Sequence, residues 1–147
     1  MDDLFFSSVD KEDLIKIEQI ATELLKENNF IINQYKTKYI SRNKRQEVLG
    51  IVVNNNNAKI PYDVKREYRA IFYNYIKSVH LEEQCGISTL LLRKYNCHHI
   101  NGYLAYIKCC DKEYYETIKE YIKKLLKRYK ISDKNAEIKS LKKVINK

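Results

Sequence analysis

The chain has 147 residues, 44% of them hydrophobic and 32% charged, with three glycines, one proline and a formal net charge of +9. That allows one ordinary domain or two small packed units, predicts helix as the majority state, and excludes a spanning segment, because no apolar run approaches the roughly 18 residues a span needs. Residues 1–28 hold three bases against eight acids, a balance of −5, and the remainder holds 25 bases against 11 acids, a balance of +14, so a basic body that suits a polyanion follows an acidic head.

Met1-Asp2-Asp3 sets two adjacent carboxylates ahead of an apolar run, and Leu4–Ser7 predicts a short buried strand. Asp10 is a good helix N-cap, and Asp13 favours the positive helix end. Leu14, Ile17, Ala21, Leu24 and Leu25 repeat at helical spacing until Asn28-Asn29 stop the helix. Phe30-Ile31-Ile32 is a strand candidate, and Tyr39–Arg45 a basic connection. Gln46–Val53 reads as the best strand, with Gly50 in its middle marking either a bulge or a close backbone approach. Asn54–Asn57 is an asparagine loop, and the boundary between two units is expected around residues 55–60.

Pro61 suits a first helical turn. Val64, Tyr68, Ile71, Phe72, Tyr75, Ile76 and Val79 form one stripe at 3.6-residue spacing, and Gly86 breaks the helix. Residues 88–96 and 98–109 predict two shorter helices. Asp111 caps the last strong helix, whose stripe is Tyr115, Ile118, Ile122, Leu125, Leu126 and Tyr129. Residues 131–147 read as a lysine-rich tail, helical or frayed. The thiols of Cys85, Cys97, Cys109 and Cys110 lack C-x-x-C spacing, so reduced, partly buried cysteines are expected over a zinc site with His80, His98 or His99, in keeping with a cytoplasmic location.

The opening acidic dipeptide, an amphipathic helix, Asn33-Gln34-Tyr35-Lys36-Thr37-Lys38, then Glu47-Val48-Leu49-Gly50-Ile51-Val52-Val53-Asn54 and a basic, tyrosine-rich helix succeed one another. This order resembles the second half of reverse transcriptases of the bacterial retron type, over residues 1 to about 128. The resemblance implies that Asp2 and Asp3 are the last two positions of a Tyr-x-Asp-Asp hairpin in the palm, with Asp2 the principal ligand of Mg²⁺ and Asp3 its neighbour. Nucleotidyl transfer places charge on an entering and a leaving oxygen, which two Mg²⁺ ions about 3.5–4 Å apart neutralise. The family's other catalytic aspartate, its fingers and the tyrosine before the dipeptide have no counterpart here, so a C-terminal piece that is inactive alone is expected.

The same resemblance marks Lys36 as a proton donor to pyrophosphate or a phosphate holder, the alternative being a surface lysine beside a turn. Val48-Leu49-Gly50 resembles the family's Val-Thr-Gly signature with Leu in place of Thr, which makes Gly50 primer-grip-like. After Pro61, Tyr62, Arg66, Arg69, Tyr73 and Lys77 present a side away from the apolar stripe, where guanidinium forks match phosphates and rings stack on unpaired bases; a solvated helix face is the alternative. Gly102-Tyr103-Leu104-Ala105-Tyr106-Ile107 resembles a thumb motif. Lys119, Lys123, Lys124, Lys127 and Lys130 lie along one broad side of the last strong helix and suit a phosphate backbone.

The expected class is α+β: a small antiparallel palm-sheet remnant with one helix over 1–57, an all-helical thumb bundle over 58–130 and a basic tail over 131–147. The expected function is the C-terminal fragment of an RNA-directed DNA polymerase that copies a structured noncoding RNA, with antiviral defence by resemblance. Its partners would be a structured RNA template and primer, the RNA–DNA duplex, deoxynucleotides in the complete enzyme, and an N-terminal polymerase half or a retron effector. A stand-alone, non-catalytic RNA-binding module and a helical interaction protein are the alternatives.

Overall fold

The computed structural model describes residues 3–54, 57–86, 94–132 and 135–146. The chain is α+β, with five helices and one two-stranded sheet among the described residues, and it divides into two compact units, Met1–Val48 and Leu49–Lys147. The division lies earlier than the boundary expected at residue 57.

In the first unit, α1 (Lys11–Glu27) starts at Asp10, as expected, but the Asp10 side chain makes no capping bond. The Ser8 hydroxyl does that work locally, accepting from the Asp10 N–H and donating to the Asp13 carboxylate, both at 3.3 Å. α1 ends where the two asparagines predict. Asn29 adopts a left-handed φ of 61°, and the Asn29 and Phe30 N–H groups return to the Lys26 and Leu25 carbonyls at 3.1 and 2.8 Å. That is the bonding of a Schellman stop, which satisfies the last carbonyls of the helix. Tyr39 donates to the Glu18 carboxylate and so ties the later connection to α1.

Two strand expectations in this unit are corrected. Leu4–Ser7 has no regular structure, and Leu4, Phe5 and Phe6 are all at least half exposed. A strand needs a neighbour for its N–H and C=O groups, and the strand of this unit, β1 (Glu47–Val48), pairs instead with β2 (Ile51–Val52). Phe30–Ile32 likewise leaves the helix stop as exposed irregular chain.

The expected strand Gln46–Val53 is a hairpin. Leu49 and Gly50 form its two-residue turn with φ of 49° and 77°. Positive φ at both central positions is the I′ form, whose twist matches the flanking strands. Leu49 is 71% exposed, so its side chain contributes little to offset the left-handed backbone. Leu49→Asn is expected to stabilise the hairpin by about 1 kcal/mol, read as a raised thermal midpoint. Beyond the hairpin, Val52 and Lys59 exchange N–H···O bonds at 2.9 and 2.8 Å and bring the chain to Pro61.

The second unit packs α2 (Tyr62–Cys85), α3 (Cys97–Cys110), α4 (Lys112–Tyr129) and α5 (Ala136–Ile145), with α4 against α2 and α3, and α3 against α5. Phe72, Ile76 and Val79 of α2, Ile100, Leu104 and Ile107 of α3, and Ile118 and Ile122 of α4 belong to one core, all essentially inaccessible. Both predicted stripes are therefore core, although Val64, Tyr68 and Tyr129 lie at its edge. Asn96 and His99 close a reciprocal capping box at the start of α3, bonding each other's N–H at 3.0 and 3.4 Å. The predicted helix over 88–96 falls mainly outside the described residues.

Asp111 joins the unit together. It is 3% exposed, ends α3 and begins α4. Its carboxylate accepts from the Tyr114 N–H at 2.9 Å, from the Ile60 N–H at 3.2 Å, and from the Lys65 ammonium at 2.7 Å. Tyr114 in turn donates its hydroxyl to the Lys65 carbonyl at 2.8 Å. One carboxylate thus fixes the chain entering α2, the first turn of α2 and the α3–α4 corner.

Of the two alternatives for the tail, the helical one holds over residues 136–145: this is α5, whose Ile138, Leu141 and Ile145 reach the core at 0–1% exposure. Asn135 caps it, accepting from the Glu137 and Ile138 N–H groups at 3.0 and 3.2 Å. Tyr75 on α2 donates to Glu137 at 3.1 Å. Ile138→Val is expected to cost about 1 kcal/mol by denaturant unfolding, as for a buried methyl; a frayed tail would give no change. The four cysteines are free; Cys85 and Cys109 are exposed, and only Cys97 and Cys110 are partly buried as expected.

Candidate nucleic-acid interface

α4 turns its apolar stripe inward and leaves lysines on its flank at successive turns. Lys123, Lys127 and Lys130 meet Lys142 of α5 around an open groove of about 470 Å³, with Leu126, Ile131 and Ile145 as its floor. Four ammonium groups over an apolar floor suit a chain of phosphates: the charges neutralise, and the floor lets the lysine stems pack. Lys123 is committed in part, donating to Glu120 at 2.8 Å, and that hydrogen bond and charge hold the Glu120 carboxyl below its ordinary value. Lys130 ends α4 with a left-handed φ of 47°.

The other lysines of the predicted side differ. Lys119 is 19% exposed in its side chain, pairs with Glu116 at 3.2 Å and lies over the Tyr115 ring at 5.8 Å. It belongs to the packing more than to the surface. Lys124 is exposed but does not line the groove.

The basic side of α2 is a second surface. Tyr62, Arg66, Arg69 and Lys77 are exposed, Tyr62 at 77%. Tyr73 is not a free stacking ring. It is partly buried against the core, 6.4 Å from the Tyr129 ring, and accepts the Tyr129 hydroxyl at 3.2 Å. That bond, with the charge of Lys77, lowers the Tyr73 phenol below its ordinary range. The Arg69 guanidinium stands 5.9 Å over the Tyr121 ring. Tyr121 and Lys123 are two positions apart, roughly 200° around the helix. The α2 surface therefore meets α4 on the opposite flank from the lysine groove, and the two do not merge.

Of the residues expected to carry chemistry, Asp2 lies outside the described residues. Asp3 is exposed on chain without regular structure. Among the described residues no group of three or more His, Cys, Asp or Glu side chains is placed to hold a metal ion. Asp3 with its described surroundings thus does not make up a two-ion Mg²⁺ site, and no step is derived through one. Lys36 is exposed in the turn made by its own N–H to the Asn33 carbonyl at 3.0 Å and by the Tyr35 N–H to the Asn33 side chain at 3.1 Å. At Gly50 no atom of the described residues comes within 4 Å of the place a Cβ would occupy, so this glycine serves its positive φ and not a close approach within the chain.

Sequence reasoning missed Lys142. Its signal is the helical spacing of Ile138, Leu141 and Ile145. No described helix is long and apolar enough to cross a membrane.

No protein-family model matches the chain, and no solved structure matches it. Among curated proteins it is similar to the retron Ec86 reverse transcriptase of Escherichia coli, 23% identical over 128 residues, or 87% of this chain. The chain spans 36% of the length of that relative.

Proposed function

We infer that this chain is the C-terminal region of a retron-type RNA-directed DNA polymerase, the end of its palm followed by its thumb, and that the second unit grips the structured RNA template and primer. The likeness to a retron reverse transcriptase across 87% of the chain carries this reading. The two basic flanks of α4 support it, one lined by Lys123, Lys127, Lys130 and Lys142 and the other reached by Arg69, with Arg66 exposed one turn earlier on α2. Both are built for phosphate and neither for a base sequence, which suits a clamp that holds any register of the duplex it tracks.

In the complete enzyme Mg²⁺ would supply charge neutralisation at the reacting oxygens, with Asp2 and Asp3 among its ligands and Lys36 at the departing pyrophosphate. Those roles, the use of deoxynucleotides and a place in antiviral defence come with the family reading. The carboxylate from another segment that such a site needs is not among the described residues, so the 147-residue chain by itself is not expected to extend a primer.

Titrating the chain against a structured RNA hairpin at several salt concentrations tests the reading. A phosphate-gripping unit gives a log–log affinity slope of about −0.7 to −0.9 per contact, steepening with each lysine engaged. A flat salt response would leave a helical interaction protein. A stand-alone RNA-binding module would share the slope. Primer extension after adding the missing polymerase portion separates the two.

A further inference from the structure

We propose that Cys109 and Cys110 form a dithiol site for trivalent arsenic carrying one organic substituent, at the corner where α3 meets α4. The site lies wholly within the second unit and is independent of the family reading.

Cys109 and Cys110 are the last two residues of α3. Neither is in a disulfide; Cys109 is exposed and Cys110 partly buried. Successive helix positions diverge by about 100°, yet these two thiols hydrogen-bond to each other. The Tyr106 hydroxyl, one turn earlier, hydrogen-bonds to Cys110 as well. Burial pushes the Cys110 thiol above its ordinary value; the Tyr106 bond opposes that rise and the Cys109 bond adds to it. Cys110 is thus a thiol at neutral pH, already in contact with a second sulfur.

The pair lines an open cleft of about 360 Å³ together with Lys59, Lys112 and Glu113. That leaves room beside the sulfurs for a substituent the size of a phenyl ring. Lys59 and Glu113 pair with each other at 3.3 Å, and the Asp111 carboxylate is taken up by the Ile60, Tyr114 and Lys65 donors. The cleft therefore offers two soft sulfurs, which suit a soft guest over a hard ion.

Four fates compete for such a pair. A disulfide between the two is disfavoured, because neighbouring Cα atoms lie about 3.8 Å apart, short of the roughly 4.4–6.8 Å that a disulfide spans, and both residues are helical. Zinc wants three or four protein ligands, and among the described residues no group of three or more His, Cys, Asp or Glu is placed to hold an ion. A two-coordinate ion sets its sulfurs on opposite sides of the metal, too far apart for thiols in hydrogen-bond contact. A monosubstituted trivalent arsenic needs only two sulfurs, and its pyramidal geometry holds them side by side. With an organoarsenic(III) oxide, two As–S bonds form, the As–O double bond breaks, and the oxygen leaves as water with the two thiol protons. Arsenic stays trivalent, so no oxidant or reductant is required.

Phenylarsine oxide is the probe. The reduced full chain is titrated with it and followed by intact-mass spectrometry, peptide mapping and free-thiol assay. One molecule is expected per chain, adding the mass of the oxide less one water and removing two of the four free thiols. Excess monothiol should leave the adduct in place, and a 1,2-dithiol should strip it. Closing the second bond within the pair is intramolecular, so Cys109→Ser and Cys110→Ser should each weaken binding by about a hundredfold or more. Cys109 is exposed, so an unchanged urea midpoint in Cys109→Ser separates lost binding from lost fold. Cys85→Ser with Cys97→Ser should bind as the wild type does. An adduct that maps to Cys85 or Cys97 would overturn the proposal, as would one that a monothiol removes. Binding that survives Cys109→Ser within about threefold, or an arsenical that joins two chains in sedimentation, would do the same.

Discussion

Replacing Asp111 with alanine is expected to lower the stability of the second unit by about 3 kcal/mol, measured by urea unfolding. The wild-type carboxylate is 3% exposed and satisfies two backbone N–H groups from distant segments, Ile60 and Tyr114, besides the Lys65 ammonium. Removing it strands both amides. Breaking a buried ion pair costs about 3–5 kcal/mol, but the Lys65 side chain is 25% exposed, so its ammonium is expected to hydrate in the variant and the lower end applies. Asp111→Asn keeps one acceptor oxygen, enough for the Tyr114 N–H and the helix cap but not for the Ile60 N–H and the Lys65 ammonium that the other oxygen serves, and is expected to cost about 2 kcal/mol. The pH dependence has a definite sign. Burial alone would push the Asp111 carboxyl up; the Lys65 and backbone hydrogen bonds, with the Lys65 charge, outweigh it and hold the group below its ordinary value of 3.8. A depressed carboxylate stabilises the fold fully above its unfolded pKa and loses that contribution as pH falls through the folded one. The acid limb of the stability curve below about pH 4 should therefore flatten in Asp111→Ala.

These particulars show what the sequence disclosed and what it withheld. The stripes of α2 and α4 were legible because each repeats at 3.6 residues over several turns, and the core follows them. Asp111 was legible as a cap, since a cap is a local device. Its ion pair with Lys65 was not, because nothing in the intervening chain announces it. The hairpin at Leu49-Gly50 was hidden twice over: its β-branched flanks read as one strand, and leucine is a poor residue for a positive φ. Lysines masked α5, whose three buried residues sit among Lys139, Lys142 and Lys143. Of the candidate site, Lys123, Lys127 and Lys130 could be read from one helix alone. Lys142 could not, because a groove between two helices requires the packing that brings them together. Tyr73 was misplaced for the opposite reason: it lies one position from the core residue Phe72 on α2, and Tyr129 draws it into the packing.

Neutralising the groove by Lys123→Ala, Lys127→Ala, Lys130→Gly and Lys142→Ala together is expected to weaken RNA binding by about 25-fold at 0.1 M salt. Lys123 is engaged with Glu120, and Lys142 also has a partner within the protein, so about two full phosphate contacts are lost. At about 0.7 per contact the log–log slope shrinks by about 1.4, and that difference acts over the decade between 1 M and 0.1 M salt. Glycine is the right replacement at residue 130 because the backbone there is left-handed, with φ of 47°. Alanine would add strain and confound the reading, whereas Lys130→Gly alone should stabilise the unit by about 0.5–1 kcal/mol while weakening binding. Opposite signs in one variant separate the charge from the fold. Arg66→Ala with Arg69→Ala provides the comparison on the other flank of α4. If the RNA runs along the groove, the arginine pair changes affinity by less than about threefold and leaves the slope in place. If it wraps across α2, the arginine pair shortens the slope and the lysine set does not. A bundle that holds a duplex between both flanks loses slope with each, additively, because the two surfaces meet α4 on opposite sides and share no side chain.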